Sequence, residues 1–404
     1  MKAPTPVKSS VQRVSLVLCC VIALAGCSTV KGWFGAGKDE KKALEPAELT
    51  EFTPTATVKK LWSAKAGGGE GAIGVRQGPS VADGKVFMAA VEGGVRAVDL
   101  QTGAEAWKWD PKREKGKEKL RLSGGPGAGN GLVVVGGLDG EVIALDESTG
   151  AEKWHARVGN EVIAAPVIGE GLVFVRANDG VVTAFDAASG ERRWFWQREL
   201  PALTVRGNDS VALGPGFVFV GNDDGSVTAL SSTDGRLLWE QSVAQAEGRS
   251  ELDRMSDIDG TPVIDGTTLY ATSFKKQTMA IDGPSGRPIW QRDNGGAGRV
   301  GNGSDRVVVA DPAGAVWAID KATGGSLWQQ PALARRNLAG VAVQGDYAVV
   351  ADYDGYVHWL RLDTGAFAAR SRVGGDPVRA TPVVADGVLL VQNIDGEVTA
   401  FRIQ

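Results

Sequence analysis

The chain has 404 residues, 56 of them glycine and 12 tryptophan, although aromatic residues make up only 7% overall. Its 44 basic and 48 acidic side chains give a net charge of −4, which argues against a nucleic-acid partner, since a phosphate backbone is met by clustered Lys and Arg. Two histidines are too few for a multi-histidine metal site.

Residues 1–26 carry Lys2, Lys8 and Arg13, then the apolar run V-S-L-V-L-C-C-V-I-A-L-A. That run is too short for an ordinary membrane-spanning helix and has the layout of a secretory signal. Leu24, Ala25, Gly26 and Cys27 resemble the bacterial lipobox, in which cleavage precedes a cysteine that becomes acylated. Cys19 and Cys20 leave with the signal, so Cys27, the lipidation site, is the only thiol of the mature chain and an internal disulfide is impossible. Several acyl chains exceed the two-signal threshold for stable anchoring. In the lipoprotein pattern an aspartate after the cysteine favours the inner membrane; Ser28 stands here, and the expected address is the outer membrane, lipid-anchored and facing the periplasm. Residues 27–57 lack strand periodicity and read as a flexible tether with a span of roughly 30 Å.

From residue 58 to 404 one unit returns eight times. A glycine recurs at Gly93, Gly140, Gly180, Gly225, Gly314, Gly355 and Gly396, with Lys276 standing in once. A second follows at Gly103, Gly150, Gly190, Gly235, Gly286, Gly324 and Gly365, and then tryptophan at Trp107, Trp154, Trp194, Trp239, Trp290 and Trp328, with Ala369 in the seventh unit. Within a unit, short Val- and Phe-rich runs alternate with Gly and Asp turns, which predicts four short strands. Val182 and Ala184 share one face of such a strand while Thr183 and Phe185 take the other, so both faces are apolar, as in a sheet packed between neighbours. The repeated Asp before Ser/Thr-Gly is turn chemistry, because a carboxylate accepts from nearby backbone N–H groups. Units of this length and strand count, arranged radially, make an all-β, eight-bladed β-propeller. The eighth unit ends at Gln404 without its tryptophan, and Trp62 supplies it from the other end of the chain, so an N-terminal strand near Lys59–Ser63 completes the last blade and closes the ring. A single domain follows from the unbroken repeat.

What the repeat leaves over is sparse in chemistry. No G-x-S-x-G elbow and no P-loop is present, and His155 and His358 read as ordinary surface or packed side chains. The run P-K-R-E-K-G-K-E-K-L-R at 111–121 reads as a solvated basic loop. Two connections from a tryptophan to the next inner strand are stretched, after Trp194 and after Trp239. Both join an outer to an inner strand, so both emerge side by side on one face of the ring, and loops on a rigid scaffold are where binding residues tend to lie. Leu203 and Val205 would form an apolar centre there, with charge beside it from Arg206, Asp257 and Asp259, which is the composition of a protein interface.

The A-x-D-x-x-T-G-x-x-x-W unit resembles the repeat of pyrroloquinoline quinone dehydrogenases, whose members bind a quinone and calcium on the ring axis. The short chain and the lack of a mature cysteine pair argue against that activity, which stands as the alternative reading. Taken with the lipobox and tether, L-x-V-R-G, S-E-L-D-R-M-S-D-I-D-G-T-P-V and D-Y-D-G-Y-V-H-W-L resemble the BamB lipoproteins of the outer-membrane β-barrel assembly machinery over essentially the full length. The resemblance implies a non-enzymatic scaffold without cofactor or metal that binds the periplasmic POTRA domains of BamA, works with the other Bam subunits and helps unfolded outer-membrane clients reach the barrel. It carries partner binding onto Leu203, Val205, Arg206, Asp257 and Asp259, with Val205 where the family commonly has leucine.

Overall fold

Strands of two to eight residues, separated by turns, are what the alternation of branched side chains with Gly and Asp dictates, and they fill the computed structural model. It describes residues 45–71, 73–112, 120–201, 209–244 and 256–404, among which there is no helix. Residues 1–44, with Cys27, and most of the basic loop at 111–121 lie outside the described residues. From Glu48 to Gln404 the chain forms one compact unit.

Eight antiparallel four-stranded sheets follow one another around a ring. Blade three is typical: Val167–Gly169 innermost, then Leu172–Arg176, Val182–Asp186 and, outermost, Arg192–Trp196. Its third strand is buried on both faces, with Phe185 packing toward blade two and Val182 and Ala184 toward blade four. Blade eight is built from both ends of the chain: Val383–Ala385, Val388–Gln392 and Glu397–Ile403 are completed by Val58–Lys65, whose antiparallel register runs from Val58 opposite Ile403 to Lys65 opposite Glu397. This is the predicted closure, and it leaves no strand of blade eight unpaired at the seam.

The tryptophan and the second glycine of the repeat meet across each seam. Trp154 lies over Gly190 of the next blade, whose φ is +73°, and a Cβ there would stand 2.7 Å from the indole. The same overlap recurs for Trp107 on Gly150 and Trp194 on Gly235, so the glycine serves both its left-handed turn and the indole's close approach. Each indole N–H donates to a carbonyl of the next blade, as in Trp154 Nε1 to Ala187 O at 2.9 Å and Trp62 Nε1 to Leu100 O at 3.0 Å. The repeated Asp caps the same turn: Asp186 Oδ1 accepts from Ser189 N at 2.9 Å and from its hydroxyl at 3.0 Å, and these bonds with Arg193 lower its pKa to about 2. Seven seams carry the indole, and the one between blades seven and eight does not, because Ala369 stands at the tryptophan position of blade seven.

Candidate partner-docking face

The turns between second and third strands and the links between blades share one face of the ring, the link face. The stretched connections after Trp194 and Trp239 both reach it, as the strand order requires. Leu203, Val205 and Arg206 lie outside the described residues; Asp257 and Asp259, at the end of the second link, lie within them.

The described stems of the two links are bound together. Asp209, ending the first, accepts at Oδ2 from the Thr261 amide at 3.0 Å, just past the second. Arg176 reaches up from blade three, donating to Asp209 O at 3.3 Å and pairing with Asp223 at 3.5 Å. Arg198 joins the first link to blade four through Asp224, the Ser226 hydroxyl at 3.0 Å and Glu240 at 3.4 Å. Ile258 packs into the core beside Gly221, where a Cβ would stand 2.6 Å from its side chain, and its amide donates to Asn222 O at 3.1 Å.

Asp257 and Asp259 are buried, so they lie beneath the surface where the sequence reading set them at its charged margin. The Asp257 carbonyl accepts from the Phe274 amide at 2.9 Å, fixing the link to blade five. Asp259 faces the central channel, a cavity of about 1110 Å³ walled mainly by Gly, Ala, Pro and aliphatic side chains such as Val167, Ile168, Leu213 and Ile264. Its ion-pair partner is Arg76, 3.6 Å away on the connection into blade one, which also donates to Ala297 O at 3.2 Å. Arg76 thus spans the channel mouth. Burial is the main cause that raises the Asp259 pKa to about 6; Arg76 and Arg176 oppose it, and Asp223 and Asp209 add to it. Burial likewise lowers Arg176 and raises Asp223. The stems therefore rest on buried charges of both signs, whose pairing only partly offsets the cost of their burial.

Two aromatics stand free on the same face, Phe274 and Tyr353, each on the turn after its blade's second strand. The periodic pattern does not flag them, because this turn position varies from unit to unit, with Val91, Leu138, Asn178, Asp223, Pro312 and Ile394 in the others. Nothing local marks Arg76 either, since its pairing with Asp259 bridges 183 positions of sequence. The channel does not suit a quinone held with calcium: among the described residues no group of three or more His, Cys, Asp or Glu side chains could hold a metal, and Phe274 is the only aromatic on its wall. His155 is exposed beside Glu141 and Glu152, and His358 is buried, so neither lines the channel.

A family model described as outer membrane protein assembly factor BamB matches residues 91–330 and 312–404. The assembly factor BamB of Xanthomonas campestris pv. campestris is 62% identical over 397 residues, which are 97% of this chain and 98% of that protein. The crystal structure of BamB from Moraxella catarrhalis superposes with a TM-score of 0.76 at 27% identity, covering 86% of this chain and all of that one. The quinohemoprotein alcohol dehydrogenase of Comamonas testosteroni, with a TM-score of 0.65 at 16% identity over 85% of this chain and 76% of that one, shares the fold alone. On the family match and the full-length identity, the chain belongs to the family of the outer-membrane protein assembly factor BamB.

Proposed function

We propose that this protein is a non-enzymatic scaffold for outer-membrane protein assembly, anchored in the outer membrane through lipid on Cys27 and facing the periplasm. Its link face docks the POTRA domains of BamA, and the docking centre is Leu203, Val205 and Arg206 within the first long link. The observation that carries this reading is the joining of the two long links at their stems by Asp209 and Thr261, which makes them one composite surface on a rigid ring. Asp257 and Asp259 act from below, holding the second link in place, and Phe274 extends the face toward blade five. An aliphatic centre with one arginine is the composition expected of an interface hot spot. The other subunits of the complex and unfolded outer-membrane clients are reached through this docking.

Membership of an assembly-factor family, together with the poor fit of the channel to a quinone, sets the dehydrogenase alternative aside. The test is co-purification from outer membranes. Val205→Glu with Arg206→Glu is expected to weaken recovery of BamA at least about tenfold, since truncating one hot-spot residue commonly costs 2 kcal/mol or more. The unfolding curve should not move, because both positions fall in the sequence between the blade strands Arg192–Trp196 and Ala212–Gly214. Undiminished recovery would overturn the assignment of this face.

A further inference from the structure

At the seam between blades seven and eight the chain solves without an indole what the repeat solves elsewhere with one. Ala369 stands in the tryptophan position, and the third strand of blade seven brings up Trp359, whose ring meets Phe401 edge-on at 5.6 Å and whose Nε1 donates to Gln344 Oε1 at 2.7 Å. Outside this seam lies the segment that leads into the closing strand. Its Thr55 and Ala56 amides both donate to Ala368 O, at 2.9 and 3.2 Å, and Phe52 stacks on Phe367 with centroids 5.3 Å apart.

One side chain organises this contact. Arg370 lies 5.0 Å from the Phe52 ring centre and 5.3 Å from that of Phe367, and it donates from Nη1 to Thr50 O at 3.1 Å. Its Nε donates inward to Nδ1 of the fully buried His358, at 3.1 Å. Because an arginine N–H only donates, Nδ1 is the acceptor, and Nε2 carries the ring hydrogen toward Asp352 Oδ2 at 3.0 Å. The imidazole is therefore neutral, and its neutrality orients the guanidinium that grips Phe52.

We propose that the outer strand of blade seven is a docking site for the chain's own segment 48–57, occupied while His358 is neutral and vacated when His358 takes up a proton. A proton on Nδ1 removes the acceptor for Arg370 and sets two cations face to face. Burial opposes that charge, and among the charged groups around the ring only Asp352 favours it. Arg336 and Arg370 repel it, and Tyr356, with its ring centre 6.3 Å away, is already covered by the Arg336 and Arg372 guanidiniums. Asp352, the carboxylate that faces it, is engaged by Arg336 Nε at 2.6 Å and by the Asp354 and Tyr356 amides. Arg370 then swings outward and releases both Phe52 and Thr50. The bond from Arg370 to Nδ1 forms only with the neutral ring, so the state that has let Arg370 go binds the proton more tightly, and burial already holds the imidazole below its ordinary value of 6.5. Docking is thus complete above the ordinary imidazole pKa and weakens as the pH falls below it. Release would free about ten residues of chain and lengthen the leash between the ring and its anchor.

The experiment is amide hydrogen exchange on the full mature chain at pH about 7.5 and about 5, with rates corrected for intrinsic exchange at each pH. Protection of Thr55 and Ala56 is expected to fall by about tenfold or more in acid, following the one-proton slope of roughly tenfold per pH unit, while the strands of blades two to six keep theirs. His358→Asn keeps an acceptor near the Nδ1 position but cannot be protonated, and its protection should be the same at both values. Phe52→Ala should lose protection at both. Wild-type protection that is unchanged in acid would overturn the proposal whether or not the variants fold, and so would an equal acid loss in His358→Asn.

Discussion

The same residue type does opposite work at two places in this ring. The turn aspartates, Asp99, Asp146, Asp186 and Asp320, sit in solvent, collect N–H and hydroxyl donors and have lowered pKa values; Asp259 is buried without such donors and has a raised one. A folded-state value raised from 3.8 to about 6 means that the native state holds the proton more tightly than the unfolded chain, so this group's contribution to stability falls as pH rises from about 4 through 6. Asp259→Asn should therefore unfold at higher denaturant than wild type at neutral pH and lose that advantage below pH about 4. The ceiling is about 3 kcal/mol from the size of the shift, less whatever the new amide lacks in partners. Paired urea titrations across that range check it. Lys276 occupies the turn position that is glycine at Gly180 and Gly225, and it takes the same left-handed conformation, with φ +68°. Lys276→Gly should stabilise the ring by about 1 kcal/mol, read as a higher urea midpoint at an unchanged slope. Both aspartate roles begin from the same letter, and only the turn role carries a local signature, Ser or Thr and Gly within four positions. That is why the turns were legible in the sequence and the burial of Asp257 and Asp259 was not.

At the scale of a strand and its turn, the unit of cohesion is the seam, where one blade's indole covers the next blade's glycine. Gly150→Ala places a Cβ 2.5 Å from Trp107 at a φ of +72°, whereas Gly131→Ala, at a φ of +76°, meets nothing within 4 Å. Both incur the left-handed backbone cost of about 1–2 kcal/mol, and only the first adds overpacking of a further 1–3 kcal/mol. The difference between the two variants in chemical denaturation measures the staple without its backbone component. The period made the glycines and the tryptophans legible as repeats, but not their contact, which joins each tryptophan to the glycine of the following unit. The eighth seam could be anticipated only as a missing tryptophan. Its substitute, Trp359 against Phe401, stands where other units have alanine, such as Ala184 and Ala229, and the contact outside it draws Phe52 from a stretch whose composition reads as tether.

For the molecule as a whole, closure by Val58–Lys65 turns eight similar units into one cooperative body. A chain begun at Glu48 should melt in a single transition. One begun at Ala66 leaves blade eight with three strands and an open edge, and it should lose cooperativity and self-associate, which calorimetry and light scattering would show. The ring also explains why the docking face was only partly legible. Link length singled out the candidate face, because stretched connections stand out against a fixed period. Its support, Arg76 across the channel mouth and Arg176 beneath Asp209, comes from blades distant in sequence and is brought there only by closure. The claim that rests most on this geometry is that the link face meets BamA. A photo-crosslinking residue at position 205 tests it directly against one at position 108, on the exposed outer strand of blade one. Adducts with the POTRA region from position 205 and none from position 108 are the expected result; adducts from position 108 alone, or from neither, would contradict it.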